Sequence, residues 1–432
     1  MTAYKPVFTN AQLQNFAAEY GTPLYAYNLN SLEDRIAELR QALPLGANIY
    51  HSLKSNPLPA LIEASVNAGC RPEICSIGEL EVALNTSADP ALFLYSGPGK
   101  SEAEIHTAIT NGVRQFSIES WTDLTRLCGI TECYPDSSIK CLLRVNPKVH
   151  INAGLAMSGS LTQFGFEEEL LVVGREKLAE LPSNVTIIGF HVYYGTQIST
   201  EDALVASFTE GIACAERLCE VLSIKASVLD LGGGFPWAYA KEEDSVSFNA
   251  IATRLESVLA ARNYTRDAEL WFESGRYITA SCGVLVSKVL DIKPAKDNHS
   301  FIVLDSGINH LGGMSGLGRV VRPYMTVKCN DDNKVDDLAD KTKKIIVGPL
   351  CSPLDRLATN SIIDNVQIGD LLHVPNVGAY GLTASLTGFL SHPAPNEVVV
   401  RDNYVCAVYR LSTGHKKNNL FGEKNGHTVN KT

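Results

Sequence analysis

The chain has no apolar run approaching the roughly 18 residues that a membrane-crossing helix needs. Its start, Met1-Thr-Ala-Tyr-Lys-Pro6, lacks the basic-then-apolar order of a secretory leader. None of the eleven cysteines falls in a CxxC pair. An odd number without ligand spacing reads as reduced thiols in a cytoplasm, not as disulfides or a metal site. Basic charge is short too: 37 Lys and Arg against 47 Asp and Glu leave a net charge of -10, which argues against nucleic acid and anionic membrane as partners. With 45% apolar and 19% charged residues the composition is that of an ordinary soluble globular protein. Its 432 residues suggest roughly two to three domains, or one barrel of about 250 residues with an appendage.

What is present is a repeat of strand and helix. Short β-branched or apolar runs recur near residues 48–54, 73–75, 92–96, 114–118, 139–145, 186–193, 227–231 and 270–273, with helical periodicity in most intervals. Leu32, Ile36, Leu39 and Leu43 recur at helical steps behind an Asn30/Ser31 cap, and Leu61, Ala64, Val66 and Ala68 fill the next interval and stop at Gly69. Eight such units predict an α/β fold, a closed (β/α)8 TIM-like barrel over residues 28–278.

After residue 278 the runs Gly283–Ile292, Phe301–Leu304, Lys344–Val347, Asp370–Val374 and Glu397–Val400 are separated by turns rather than long helices. They predict an all-β domain from residues 1–27 and 279–411. Lys328–Lys344 reads as a solvated loop, and 412–432 as an unpacked tail.

Parallel barrels gather their chemistry at the C-terminal strand ends. Here those ends are Lys54, Glu73, Ser96 to Gly99, Arg144, His191 to Thr196, Gly232-Gly233-Gly234 and Glu273-Ser-Gly-Arg276. Lys54 follows Ile49, Tyr50 and Leu53 with no intervening turn residue, so its amine is expected at the mouth of a buried strand, where desolvation lowers a lysine pKa. A neutral amine can attack an aldehyde, which points to a pyridoxal-phosphate enzyme. Three glycines let backbone amides approach an anion, although a flexible turn explains them equally well. With Gly275 and Arg276 they form a candidate phosphate cradle. Glu273 could hold a pyridine nitrogen protonated, or simply pair with Arg276.

Taken together, Tyr50-His-Ser-Leu-Lys54-Ser-Asn-Pro57, Pro72-Glu-Ile-Cys-Ser-Ile-Gly-Glu-Leu-Glu81, Tyr95 to Lys100, Leu231-Gly-Gly-Gly-Phe235, Glu273 to Arg276, Gly348-Pro-Leu-Cys351 and Gly378-Ala-Tyr-Gly381 resemble the alanine-racemase-fold (fold type III) pyridoxal-phosphate decarboxylases of diaminopimelate, ornithine and arginine. The resemblance runs in order from about residue 20 to 410. It implies pyridoxal 5'-phosphate as cofactor, with no metal. Lys54 would bind its aldehyde, with Glu73 nearby and Arg144 near the phenolic side of the ring. Gly232 to Gly234, Arg276 and Tyr380 would surround the phosphate, and Glu273 would meet the pyridine nitrogen. Cys351, otherwise readable as a buried structural cysteine, would protonate the substrate α-carbon. In the family this cysteine and the Tyr380 segment complete the partner's site, so the resemblance implies a homodimer with shared active sites.

Departures bear on the substrate. Family members that act on diamines carry an acid directly after the cysteine; here the run is Cys351-Ser352-Pro353-Leu354-Asp355, leaving Ser352 and Asp355 as candidate substrate residues. The segment taken to correspond to the family's Arg-Pro-x-Leu-Tyr run, Leu311 to Gly318, lacks arginine and tyrosine, which disfavours diaminopimelate. Tyr193 stands where a histidine usually stacks on the cofactor, with His191 two residues before it; Thr196 can donate to the phosphate. Leu161-Thr-Gln-Phe-Gly165, His191 to Gln197, Cys351-Ser-Pro and Phe389-Leu-Ser-His-Pro393 look closest to a branch in siderophore and specialised-metabolite synthesis. That branch decarboxylates amino-acid units within citryl adducts or on carrier proteins. Decarboxylation of free ornithine, lysine or diaminopimelate is the alternative, ahead of a racemase or a non-catalytic homologue.

Overall fold

The computed structural model describes residues 4–147, 155–156, 162–312 except 245 and 298, 327–329, and 343–414 except 362, 364 and 413. Of the predicted loop at 328–344, residues 330–342 lie outside this set, as do 313–318 of the segment 311–318, Leu161, and the tail from 415.

β1 (Leu24–Asn28) is followed by eight strands: β2 (Asn48–Ser52), β3 (Arg71–Ile74), β4 (Leu94–Tyr95), β5 (Gln115–Ile118), β6 (Ile139–Asn146), β7 (Val185–Val192), β8 (Val228–Asp230) and β9 (Glu269–Ser274). From β2 to β9 each pairs in parallel with the next. β9 then returns to β2, with Trp271 opposite Asn48 and Ser274 opposite His51, and the barrel closes. Closure removes sheet edges and carries the ends of β2, β3, β6, β7, β8 and β9 to one rim.

The helices form where the apolar stripes predicted them. α1 (Asn10–Tyr20) precedes β1; α2 (Leu29–Ala42) buries Leu32, Ile36 and Leu39 against the barrel, and α3 (Pro59–Asn67) buries Leu61 and Ala64. The α2 cap is displaced from its expected place at Asn30/Ser31. Asn28 caps instead, accepting from the Ser31 amide. Leu43 lies just past the helix yet stays buried.

The longer strands after the barrel are β10 (Gly283–Ala295), β11 (His299–Leu304), β12 (Lys343–Val347), β13 (Arg356–Ser361), β14 (Leu371–Val374), β15 (Asn396–Arg401) and β16 (Tyr404–Arg410). They form a second sheet in the order β13-β12-β11-β10-β1-β15-β16, with β14 also on β10. β1 inserts between β10 and β15, so the chain enters this sheet before it enters the barrel. Among the described residues no helix is long and apolar enough to cross a membrane.

Candidate active site

Lys54 occupies a single helical turn, Leu53–Ser55, at the end of β2, and its Nζ lies 3.2 Å from Glu73 Oε1 on the neighbouring strand. This corrects the expected direction of its titration. Burial alone pulls the ammonium down, but Glu73, with Cys75, Glu273 and Tyr380 behind it, outweighs burial and holds Lys54 well above the usual lysine range. The amine is therefore stored charged on Glu73, which also accepts from the Cys75 thiol at 3.4 Å.

Lys54, Tyr193, Thr196, Glu273, Arg276 and Tyr380 line one cleft, together with Gly233, Gly234 and Gly275, around about 370 Å³ that includes space open to solvent. Gly232 has φ +64, and a Cβ there would sit 2.5 Å from the Tyr193 ring; only glycine lets that ring lie against the turn. The Glu273 amide donates to Gly232 O at 2.9 Å, tying the turn after β8 to β9. Gln197 exchanges two hydrogen bonds with the Trp237 backbone, both 2.9 Å, and fixes the loop that carries Thr196.

Arg276 stacks on the Tyr380 ring at 4.7 Å and faces Tyr239 at 5.6 Å, and its Nε is buried without a hydrogen-bond partner. Tyr380 is held at φ +52 by two backbone contacts: its amide donates to Ser55 O at 2.6 Å, and its carbonyl accepts from Tyr239 at 2.9 Å. A buried guanidinium nitrogen beside a glycine turn is the kind of arrangement that can bind an anion.

Two residues sit deeper than the sequence reading assigned them. Arg144 does not line the cleft; it pairs with Glu119 at 2.6 Å and stacks on Phe164 at 4.7 Å. Glu119, missed in the sequence, also accepts from the Gly165 amide at 2.8 Å and so couples Arg144 to the 162–166 segment. A buried acid one strand from a buried arginine was the available signal. His191 is fully buried beneath the cleft, its Nδ1 2.9 Å from Ser117 Oγ and its Nε2 3.7 Å from Glu273 Oε1. Burial, then Arg144, hold it well below the normal histidine range, so it is neutral.

Cys351 is exposed and does not line the Lys54 cleft of its own chain; Ser352 is half-buried beside it. Asp355 departs from its expected role toward the substrate. It is buried, with one oxygen accepting from the Ile308 amide and the other from the Leu350 amide, both at 2.8 Å. Its carboxylate braces the turn that presents Cys351. Asp355→Asn turns one of those acceptors into a donor facing an N–H, and is expected to cost about 1–3 kcal/mol in urea unfolding while leaving cofactor affinity unchanged. An unchanged midpoint would return Asp355 to the substrate.

Residues 29–280 match the family described as pyridoxal-dependent decarboxylase, pyridoxal binding domain. The chain is 29% identical to the L-glutamyl-[BtrI acyl-carrier protein] decarboxylase of Niallia circulans, over 93% of this chain and 94% of the other. It is 32% identical to a diaminopimelate decarboxylase of Zymomonas mobilis, over 90% of each. It is 28% identical to the 2-[(L-alanin-3-ylcarbamoyl)methyl]-2-hydroxybutanedioate decarboxylase of Staphylococcus aureus, over 86% of this chain and 92% of the other.

Proposed function

Because the chain belongs to the pyridoxal-dependent decarboxylases, we propose that it removes the α-carboxylate of an amino-acid unit already joined to something larger, a citryl adduct or a carrier-bound aminoacyl group. Pyridoxal phosphate is the cofactor of this enzyme type, and the cleft fits it: a glycine turn and the unpartnered Arg276 Nε for the phosphate, a buried carboxyl for the ring nitrogen and one lysine for the aldehyde. Bound there, the cofactor supplies the sink for the electron pair left when carbon dioxide departs.

The protein's own residues divide the remaining work. Arg276 and the amides of Gly233 and Gly234 would hold the phosphate, and Tyr193 would offer its ring to the cofactor. Glu273 would accept from the ring nitrogen. Glu73 positions the Lys54 amine, the group that would hold the cofactor aldehyde. Cys351 gives the proton to the α-carbon. Its exposure leaves it free to meet the cleft of a second copy, and we place it there in a homodimer.

The observation that carries the substrate reading is Asp355. It is the acid nearest after Cys351, and it is turned inward onto two amides, so the described part of this turn offers no carboxylate to a distal ammonium. A buried, unpaired ammonium would cost several kcal/mol. Two relatives that act on conjugated units support the reading. The 32% identity to a diaminopimelate decarboxylase favours that second reading, as does Arg322-Pro323-Tyr324, which places an arginine and a tyrosine just beyond the segment read as lacking them.

Carbon dioxide release should be measured from a panel of free ornithine, lysine and diaminopimelate, citryl adducts and carrier-loaded amino acids. The conjugated class is expected to turn over and the free diamines to be poor. Ser352→Asp is expected to improve the diamines selectively, by at most the roughly 1.5–3 kcal/mol of a charged hydrogen bond. Efficient turnover of a free diamino acid by the wild-type enzyme would overturn the conjugated-substrate reading.

A further inference from the structure

Behind Glu273 lies a second carboxyl that the chemistry described so far does not use. Asp230 ends β8, is fully buried, and accepts from the Gly232 amide at 2.9 Å through Oδ1. Its other oxygen, Oδ2, has no hydrogen-bond partner, and neither do Glu273 Oε1 and His191 Nε2. Donor atoms of Asp230, Glu273 and His191 all lie within 4.8 Å of one another. Cations in the neighbourhood are engaged elsewhere: Arg144 with Glu119 at 2.6 Å, Lys54 with Glu73 at 3.2 Å, and Lys100 with Asp123 at 2.8 Å.

Two ionised carboxylates in such a pocket would each be desolvated and would repel one another, with no cation among the described residues in contact to offset either. The missing partner is a proton. We propose that Asp230 is a positioning residue that keeps a proton and shares it with Glu273, so that the pair carries one negative charge and Glu273 meets the cofactor ring as a carboxylate held from behind by a neutral donor.

The surrounding charges agree. Burial pushes Asp230 up to about 7, against the pull of the Gly232 amide, with Glu73 pushing the same way as burial and the Glu273 carboxyl beside it, then Arg144, opposing; the Glu273 contact is the one through which the two carboxyls share a proton. Glu273 is raised well above the carboxylate range, by burial first and then by Glu73 and Asp230, with Lys54 and Arg144 opposing. Tyr50, also near Asp230, is itself pushed up by burial and stays neutral. His191 completes the arrangement: Ser117 can donate its hydroxyl proton to Nδ1, which leaves an Nε2–H directed at Glu273.

This inference rests on the cofactor reading of the cleft, and its test separates the two. The infrared spectrum of the purified holoenzyme near neutral pH should contain the carbonyl band of a buried protonated carboxylic acid that is missing from Asp230→Asn. The same comparison on protein stripped of cofactor reads the proton whether or not the cleft binds pyridoxal phosphate. The asparagine keeps a donor toward Glu273, so its dissociation constant for pyridoxal phosphate should stay within about threefold of wild type, whereas Asp230→Leu, which loses the donor, should weaken it about tenfold or more. If the asparagine spectrum matches wild type, or if asparagine and leucine weaken the cofactor alike, Asp230 is an ionised or purely structural residue and the inference falls. Should the leucine variant not fold, the asparagine spectrum still decides.

Discussion

Lys54→Ala is expected to lower decarboxylation on the order of 10³-fold or more, because one side chain provides both the amine that holds the cofactor and the group that releases the product. The loss should be confined to chemistry. Phosphate contacts from Arg276 and the glycine turn are untouched, and Tyr380 keeps its φ of +52 through Ser55 O and Tyr239. The variant should therefore bind pyridoxal phosphate reversibly with the fold unchanged. Its Glu73 loses the 3.2 Å ammonium partner, so that carboxyl, held low in the wild type against its burial, should titrate upward. Steady-state rates with equilibrium cofactor titration check both halves; a rate within tenfold of wild type would remove Lys54 from the mechanism.

Glu273→Gln should cost about 10²–10³-fold in kcat, the range found when one preorganised electrostatic contact is removed from a desolvated site. Glutamine preserves the shape of the β9 end and the Gly232 contact, which uses the backbone amide, but it cannot carry the negative charge that keeps a ring nitrogen protonated. In this account the Lys54-bound cofactor persists and only the electron sink weakens, so kcat should fall with little change in cofactor affinity. Loss of bound cofactor in parallel with activity would mean that Glu273 acts mainly in binding.

How much of this was legible in the sequence depends on whether a residue acts through local pattern or through a distant partner. The barrel strands were legible because each is a short β-branched or aromatic run with helical periodicity on either side, and both patterns are local. β16 was not: its burial alternates between exposed and half-buried from Tyr404 to Arg410, and it is an edge strand held by β15 alone. β1 lies almost wholly within the residues assigned to the second domain but was not identified as a strand, because it is a short run whose partners, β10 and β15, lie more than 200 residues away.

The same division holds in the site. Lys54, Glu273 and Arg276 announce themselves at strand ends, and the structure brings them into one cleft. Lys54's charge state could not be read, since it depends on Glu73 across a strand pair. Asp355 was read as facing substrate because it follows Cys351; its inward turn depends on Ile308, 47 residues earlier. Glu119 and Asp230 carry no motif of their own, and only burial beside Arg144 and Glu273 gives them meaning.

The most direct test of the central claim is borohydride reduction of the purified protein followed by peptide mapping. The cofactor is expected to become fixed on a single peptide at Lys54, with Lys54→Ala giving no labelled peptide. Label on any other lysine, or none on the wild-type protein saturated with pyridoxal phosphate, would contradict it.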